Sequence, residues 1–155
     1  MALRTPFAEE LCATAKFIVG GGKGILAADE STGTIGQRFD SIGVENTYEN
    51  RQAYRILLLG TEGVGESISG CIFYEEALDY VDENGVNIID LCKKENIIPG
   101  IKVDKGVVKL MGADNETDTQ GLDGLAERCQ GYYAKGCRFA KWRAVLRIGP
   151  NEPSE

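Results

Sequence analysis

The sequence predicts an α/β protein built on a parallel sheet. Three observations carry that reading. Four short apolar runs alternate with helical patterns, the arrangement that joins parallel strands through crossover helices. The runs lack the polar alternation of a half-solvated strand, so both sheet faces are expected to be covered. Glycine is in excess, at 20 of 155 residues, against a usual ~7%. Tight turns between strands and helices would use it.

Each element has its own signal. Phe7, Leu11, Ala15 and Ile18 recur at helical spacing over 7–18, and Gly20-Gly21-Gly22-Lys23-Gly24 ends that helix. Ile25–Ala28 is the first strand. Residues 33–42 and 48–59 read as helices, with Gly60 placed to close the second. Gly70–Tyr74 is the second strand, followed by a short helical stretch and a helix over Val86–Glu95. Ile97–Val103 is the third strand. Leu122, Leu125, Cys129 and Tyr132 mark an amphipathic helix over 122–134, and Arg138–Val145 is the fourth strand. Such a sheet could be an open doubly wound one or part of a (β/α)8 barrel; a complete barrel needs ~250 residues. The length suits one domain, 1–155, with a sizeable core.

Composition removes whole classes of function. With no histidine there is no Ser-His-Asp or Cys-His catalysis and no imidazole metal site. Seventeen basic and 24 acidic side chains give a net charge of −7, unlike a non-specific nucleic-acid binder. No apolar run approaches the ~18 residues of a membrane span. The N-terminus lacks a signal-peptide core, so the expected location is cytoplasmic. Cys12, Cys71, Cys92, Cys129 and Cys137 form no CxxC pair and read as reduced, mostly buried thiols.

Ligands of parallel α/β folds meet the C-terminal ends of strands. Strand one ends in Asp29-Glu30-Ser31-Thr32, strand three carries Lys102 and Asp104, and strand four carries Lys141 and Arg143. Alternation puts Lys102 with Asp104 on one face, and Lys141 with Arg143. Cations inside a buried strand are costly unless an anion meets them, and a ligand phosphate is the natural counter-ion. Asp29 supplies the opposite charge, fit to shuttle a proton or hold an ammonium. Blander readings compete. Asp29 could simply cap the next helix, Lys102 and Asp104 could be a surface pair, and Arg38 and Arg51 lie on helices where arginines are usually solvated or paired. Gly20–Gly24 is no P-loop, because the glycine spacing is wrong and no Ser or Thr follows Lys23.

Longer motifs point to a family. Gly22-Lys23-Gly24-Ile25-Leu26-Ala27-Ala28-Asp29-Glu30-Ser31-Thr32-Gly33 resembles the first-strand signature of class I fructose-1,6-bisphosphate aldolases. Pro99-Gly100-Ile101-Lys102-Val103-Asp104-Lys105-Gly106 resembles their third strand. Thr119–Leu125 with Phe139-Ala140-Lys141-Trp142-Arg143 resembles their fourth unit. Order and spacing hold from about Phe7 to Pro153.

The resemblance implies the N-terminal half of a TIM (β/α)8 barrel, about four βα units. It implies a metal-free lyase of glycolysis and gluconeogenesis that needs no cofactor. Fructose 1,6-bisphosphate is cleaved through a lysine Schiff base to dihydroxyacetone phosphate and glyceraldehyde 3-phosphate. By resemblance the catalytic residues are Asp29, which assists proton transfers, and Lys141, which contacts substrate hydroxyls. The substrate-binding set is Ser31, Thr34, Arg38, Arg51, Lys102 and Arg143. Thr34 stands where the family often has serine, and Gln37 where many members have lysine. The Schiff-base lysine lies downstream in the family, and Lys141 is not that lysine. The expected partners are a sugar bisphosphate and, in the complete protein, further copies of itself, with no nucleic acid and no membrane. Two readings follow: part of an aldolase subunit, inactive as 155 residues alone, or a short half-barrel serving as a non-catalytic sugar-phosphate-binding or interaction module.

Overall fold

The computed structural model describes residues 5–154. Helix α1 (Ala8–Val19) leads into β1 (Gly24–Ala28), then α2 (Thr32–Asp40) and α3 (Tyr48–Leu59). Strand β2 (Ile68–Phe73) is followed by a 3₁₀ turn over Glu75–Asp79 and by α4 (Ile88–Lys94). Strand β3 (Ile98–Lys102) precedes a small antiparallel ribbon, β4 (Val107–Lys109) with β5 (Thr117–Thr119). Helix α5 (Leu125–Lys135) and β6 (Phe139–Lys141) complete the order.

The main sheet is four-stranded, in the order β1-β2-β3-β6, and every pairing is parallel. Three helix starts show how local chemistry sets it up. Ser31, Thr47 and Asn87 each accept a hydrogen bond from a first-turn amide of α2, α3 and α4, satisfying a donor the helix itself cannot. Asp29 is therefore not the cap of α2. Helix α5 ends at Gly136, whose φ of 112° only glycine adopts readily.

The register sorts the strands into two faces. Ala28, Cys71, Phe73 and Ile101 share one face and pack against Leu59, Ile88, Ile89, Cys92 and Tyr132 to form the core. Ile25, Ile72, Gly100 and Phe139 share the other. Here the structure corrects the expectation of a sheet covered on both faces: Ile25 is 47% exposed.

The fourth strand is also shorter than expected. Pairing runs only over Phe139–Lys141, and the last bond is from the Val103 amide to the Lys141 carbonyl, 3.1 Å. Beyond it Asp104 turns the neighbouring chain, accepting the Gly106 amide at 3.1 Å, so residues 142–145 have no strand to pair with. Arg143 thus does not share a strand face with Lys141. Gly60 closes α3 as expected, its amide donating to the Ile56 carbonyl with φ −86° in the right-handed region.

Candidate active site

The C-terminal ends of the strands surround an open cavity of about 570 Å³. Its charged lining is Arg38, Lys102, Lys105, Lys141 and Arg143 against Asp29, Glu30, Glu75 and Asp104. In a chain of net charge −7, this cavity is lined by five cations against four anions.

Register brings the lysines together. Lys102 and Lys141 are direct partners across β3 and β6. Each is balanced by its own carboxylate. Lys141 Nζ donates to Asp29 Oδ2 at 2.6 Å, joining residues 112 apart in sequence. Lys102 Nζ donates to Asp104 Oδ1 at 2.7 Å and to the Asp104 carbonyl at 3.1 Å. Burial pushes the Asp104 carboxyl up, but hydrogen bonds from Lys102 and the Gly106 amide outweigh it and hold it below the usual carboxylate range. Asp104 Oδ2 is buried and has no partner.

Ser31 and Thr34 sit where α2 meets the cavity, their hydroxyl oxygens 3.1 Å apart. Arg38 extends from the same helix, 60% exposed, and pairs with the buried Glu30. Arg143 lines the opposite rim, where its carbonyl accepts from Thr119 Oγ1 at 2.8 Å. Seven of the eight predicted site residues, Asp29, Ser31, Thr34, Arg38, Lys102, Lys141 and Arg143, thus border one cavity.

Arg51 does not. Its guanidinium is spent on Glu76, with Nε–Oε1 at 2.8 Å and Nη2–Oε2 at 2.6 Å, and on Asn46. Arg51, expected to be linked to substrate binding, is instead held by this ion pair and is not among the residues lining the cavity.

The sequence reading passed over four charged residues of this region. Glu30, Glu75 and Lys105 border the cavity directly. Arg55 lies behind it, fully buried, and donates to the main chain on both sides of Asp29. Lys105 sat inside a recognised motif and could have been picked. Arg55 carries no local signal, since only burial distinguishes it from any helical arginine. Among the described residues, no group of His, Cys, Asp or Glu side chains is arranged to hold a metal ion.

Lysines, arginines and hydroxyls interleaved with carboxylates at strand ends can seat a phosphorylated ligand and move a proton beside it. Fold and site together define a β/α protein of parallel strands with a pocket lined by charged side chains at the strand C-termini. The comparisons with known proteins narrow the class. The profile for fructose-bisphosphate aldolase class-I matches residues 10–155, and the chain belongs to that family. It is 60% identical over 150 residues to fructose-bisphosphate aldolase 2 of Plasmodium berghei, covering 97% of this chain and 41% of the relative. It is 58% identical over 149 residues to the cytoplasmic isozyme 1 of Pisum sativum, covering 96% and 42%. A solved structure of the Plasmodium falciparum aldolase, in complex with TRAP and a small molecule inhibitor, superposes with a TM-score of 0.94 at 57% identity. It covers 99% of this chain and 44% of that one. The chain therefore spans about two fifths of the length of the curated relatives it matches. Among the described residues, no helix is long and apolar enough to cross a membrane.

Proposed function

We propose that this chain supplies the Asp29–Lys141 half of an aldolase active site that cleaves fructose 1,6-bisphosphate. The observation that carries the reading is the 2.6 Å Lys141–Asp29 pair, set beside Lys102 in a cation-rich cavity at the strand ends. Asp29 accepts and returns the proton during carbon–carbon cleavage. Lys141 orients the substrate hydroxyls and balances their developing negative charge. As the family resemblance implies, the Schiff-base amine is a lysine other than Lys141, elsewhere in the complete barrel. That iminium serves as the electron sink. Ser31, Thr34, Arg38, Lys102 and Arg143 hold phosphate and hydroxyl oxygens, and Arg51 serves the fold. The complete protein works in the cytoplasm as an assembly of identical subunits and uses no metal or cofactor.

The test is a chimera in which residues 10–155 replace the matching segment of the Plasmodium berghei relative. It should cleave fructose 1,6-bisphosphate. Asp29→Ala or Lys141→Ala should cost about 10²–10⁴-fold in kcat, and Lys23→Ala, whose amine binds the Gly65 carbonyl, under about threefold. The 155-residue chain alone should show no turnover. An inactive chimera, or equal losses at Lys23 and Lys141, overturns the assignment.

The second reading, a non-catalytic sugar-phosphate-binding module, draws on the cations that this chain supplies unaided. Phosphate binding by the isolated chain together with an inactive chimera would favour it.

A further inference from the structure

Helix α3 carries an arginine that reaches the site from behind. Arg55 is 0% exposed. Its Nε donates to the Ala28 carbonyl at 3.0 Å, and its Nη2 to the Glu30 carbonyl at 2.7 Å. Those are the carbonyls on either side of Asp29. Ala28 is the last paired residue of β1, so beyond it the chain has no ladder to hold it. Without Arg55 these buried carbonyls would lack that partner, and the segment carrying Asp29 would lose two of its anchors.

The remaining donors point the same way. Arg55 Nη1 donates to the Tyr80 hydroxyl at 3.4 Å, and Tyr80 donates in turn to Glu76, which Arg51 grips. Arg55 Nη2 also lies 3.8 Å from Glu30 Oε2, an oxygen with no hydrogen-bond partner. A single planar fork can serve both carbonyls because its donors are fixed in one plane; the single ammonium of lysine cannot. The arginine and its supports form a rigid stay running from α3 to the end of β1.

We infer that Arg55 is a positioning residue for the reaction: it holds Asp29 in register with Lys141 by clamping the main chain at Ala28 and Glu30. Its guanidinium touches no substrate and lies outside the cavity lining. The catalytic consequence rests on the function proposed above, whereas the geometric content does not.

The experiment reads the two separately. In the 155-residue chain, lysine labelled with ¹⁵N at Nζ reports on Lys141, the resonance being assigned by its loss in Lys141→Arg. Arg55→Met should move that resonance to its position in Asp29→Asn. Leu59→Ala, a buried substitution on the same helix, should leave it in place. In the chimera, Arg55→Ala should lower kcat by about 10²-fold with KM changed less than about threefold, and millimolar guanidinium should restore at least a tenth of the activity. Arg55→Lys, which keeps the charge and spares the fold most, should still lose about tenfold. The inference is overturned if the Lys141 resonance stays put in both Arg55→Met and Arg55→Lys. It is equally overturned if Leu59→Ala moves that resonance as far as Arg55→Met does, since the role would then be structural alone. An inactive unsubstituted chimera refutes the aldolase reading and leaves the resonance test of Arg55 intact.

Discussion

Phe139 lays its ring over the α-carbon of Gly100, its direct partner on the neighbouring strand. A Cβ built on Gly100 would lie 2.3 Å from Phe139 Cζ and 2.5 Å from two more ring atoms. The glycine is the space the ring occupies. Gly70 repeats the relationship more loosely, with a built Cβ 3.2 Å from the same ring. Gly100→Ala should destabilise the chain by about 1–3 kcal/mol through overpacking, read from urea unfolding. Adding Phe139→Leu should cost less than the sum of the two changes, because they compete for one volume. Strict additivity would show that the ring simply swings away.

The Arg51–Glu76 pair makes a pH prediction. The hydrogen bond from Arg51 leads the effects that hold the Glu76 carboxyl below its usual range, burial opposing it. A carboxyl whose folded pKa is depressed stabilises the fold above its unfolded value, ~4.3, and loses that contribution as pH falls through the folded value. Arg51→Met should therefore cost about 2–4 kcal/mol at pH 7, between exposed and fully buried pairs. The gap to the parent chain should narrow as pH falls below about 4. A constant gap from pH 7 to pH 3 would show that the loss comes from packing and not from the ion pair.

Ser31 combines a capping position with a place on the cavity. Its side chain accepts the Thr34 amide at the start of α2, 3.4 Å, while it borders the cavity. Ser31→Ala should lower stability by about 1 kcal/mol through loss of the cap. Ser31→Asp keeps an acceptor there and should retain stability, yet bring a negative charge to the cavity and weaken phosphate binding, measured by titration calorimetry. Stronger phosphate binding by Ser31→Asp would mean the anion sits elsewhere.

Thiol reactivity should rank the cysteines. Cys71, Cys92 and Cys137 are buried and Cys12 is exposed. Burial raises the Cys71 thiol and pushes Cys92 up to about 12 and Cys137 to about 11. The thiolate is the reactive form. Iodoacetamide at neutral pH should label Cys12 first, leaving those three untouched until denaturant is added, as read by peptide mass spectrometry. Equal labelling of Cys71 and Cys12 in the native chain would contradict the core described above.

Much of the fold was legible because burial writes itself into strands. The runs at Ile25–Ala28, Gly70–Tyr74 and Ile97–Val103 each mark a strand to within two residues at either end. The β4–β5 ribbon was missed because three exposed residues such as Val107-Val108-Lys109 have no periodicity to detect. The fourth strand was overextended because Trp142 and Val145 are apolar, and only the turn at Asp104 shows that no partner continues beside them. In the site, Asp29, Lys102 and Lys141 stood out because charge at a strand end is costly. The engagement of Arg51 could not be read in the same way. Its partner Glu76 lies 25 residues away, a distance over which sequence says nothing about who pairs with whom.

Asp29 and Lys141 follow or close the two outer strands of the four-stranded sheet. With neighbouring strands ~4.8 Å apart, three intervals span ~14 Å if the sheet is flat. Curvature and the reach of the lysine bring their tips to 2.6 Å. The pair therefore forms only once every intervening strand has docked. Its loop of 112 residues is among the slowest kinds of closure a chain makes. The pocket in this sense depends on the whole sheet, because its two ends meet only across all three strand pairings. Conversely, any anion captured between these two edges stabilises all three strand pairings at once.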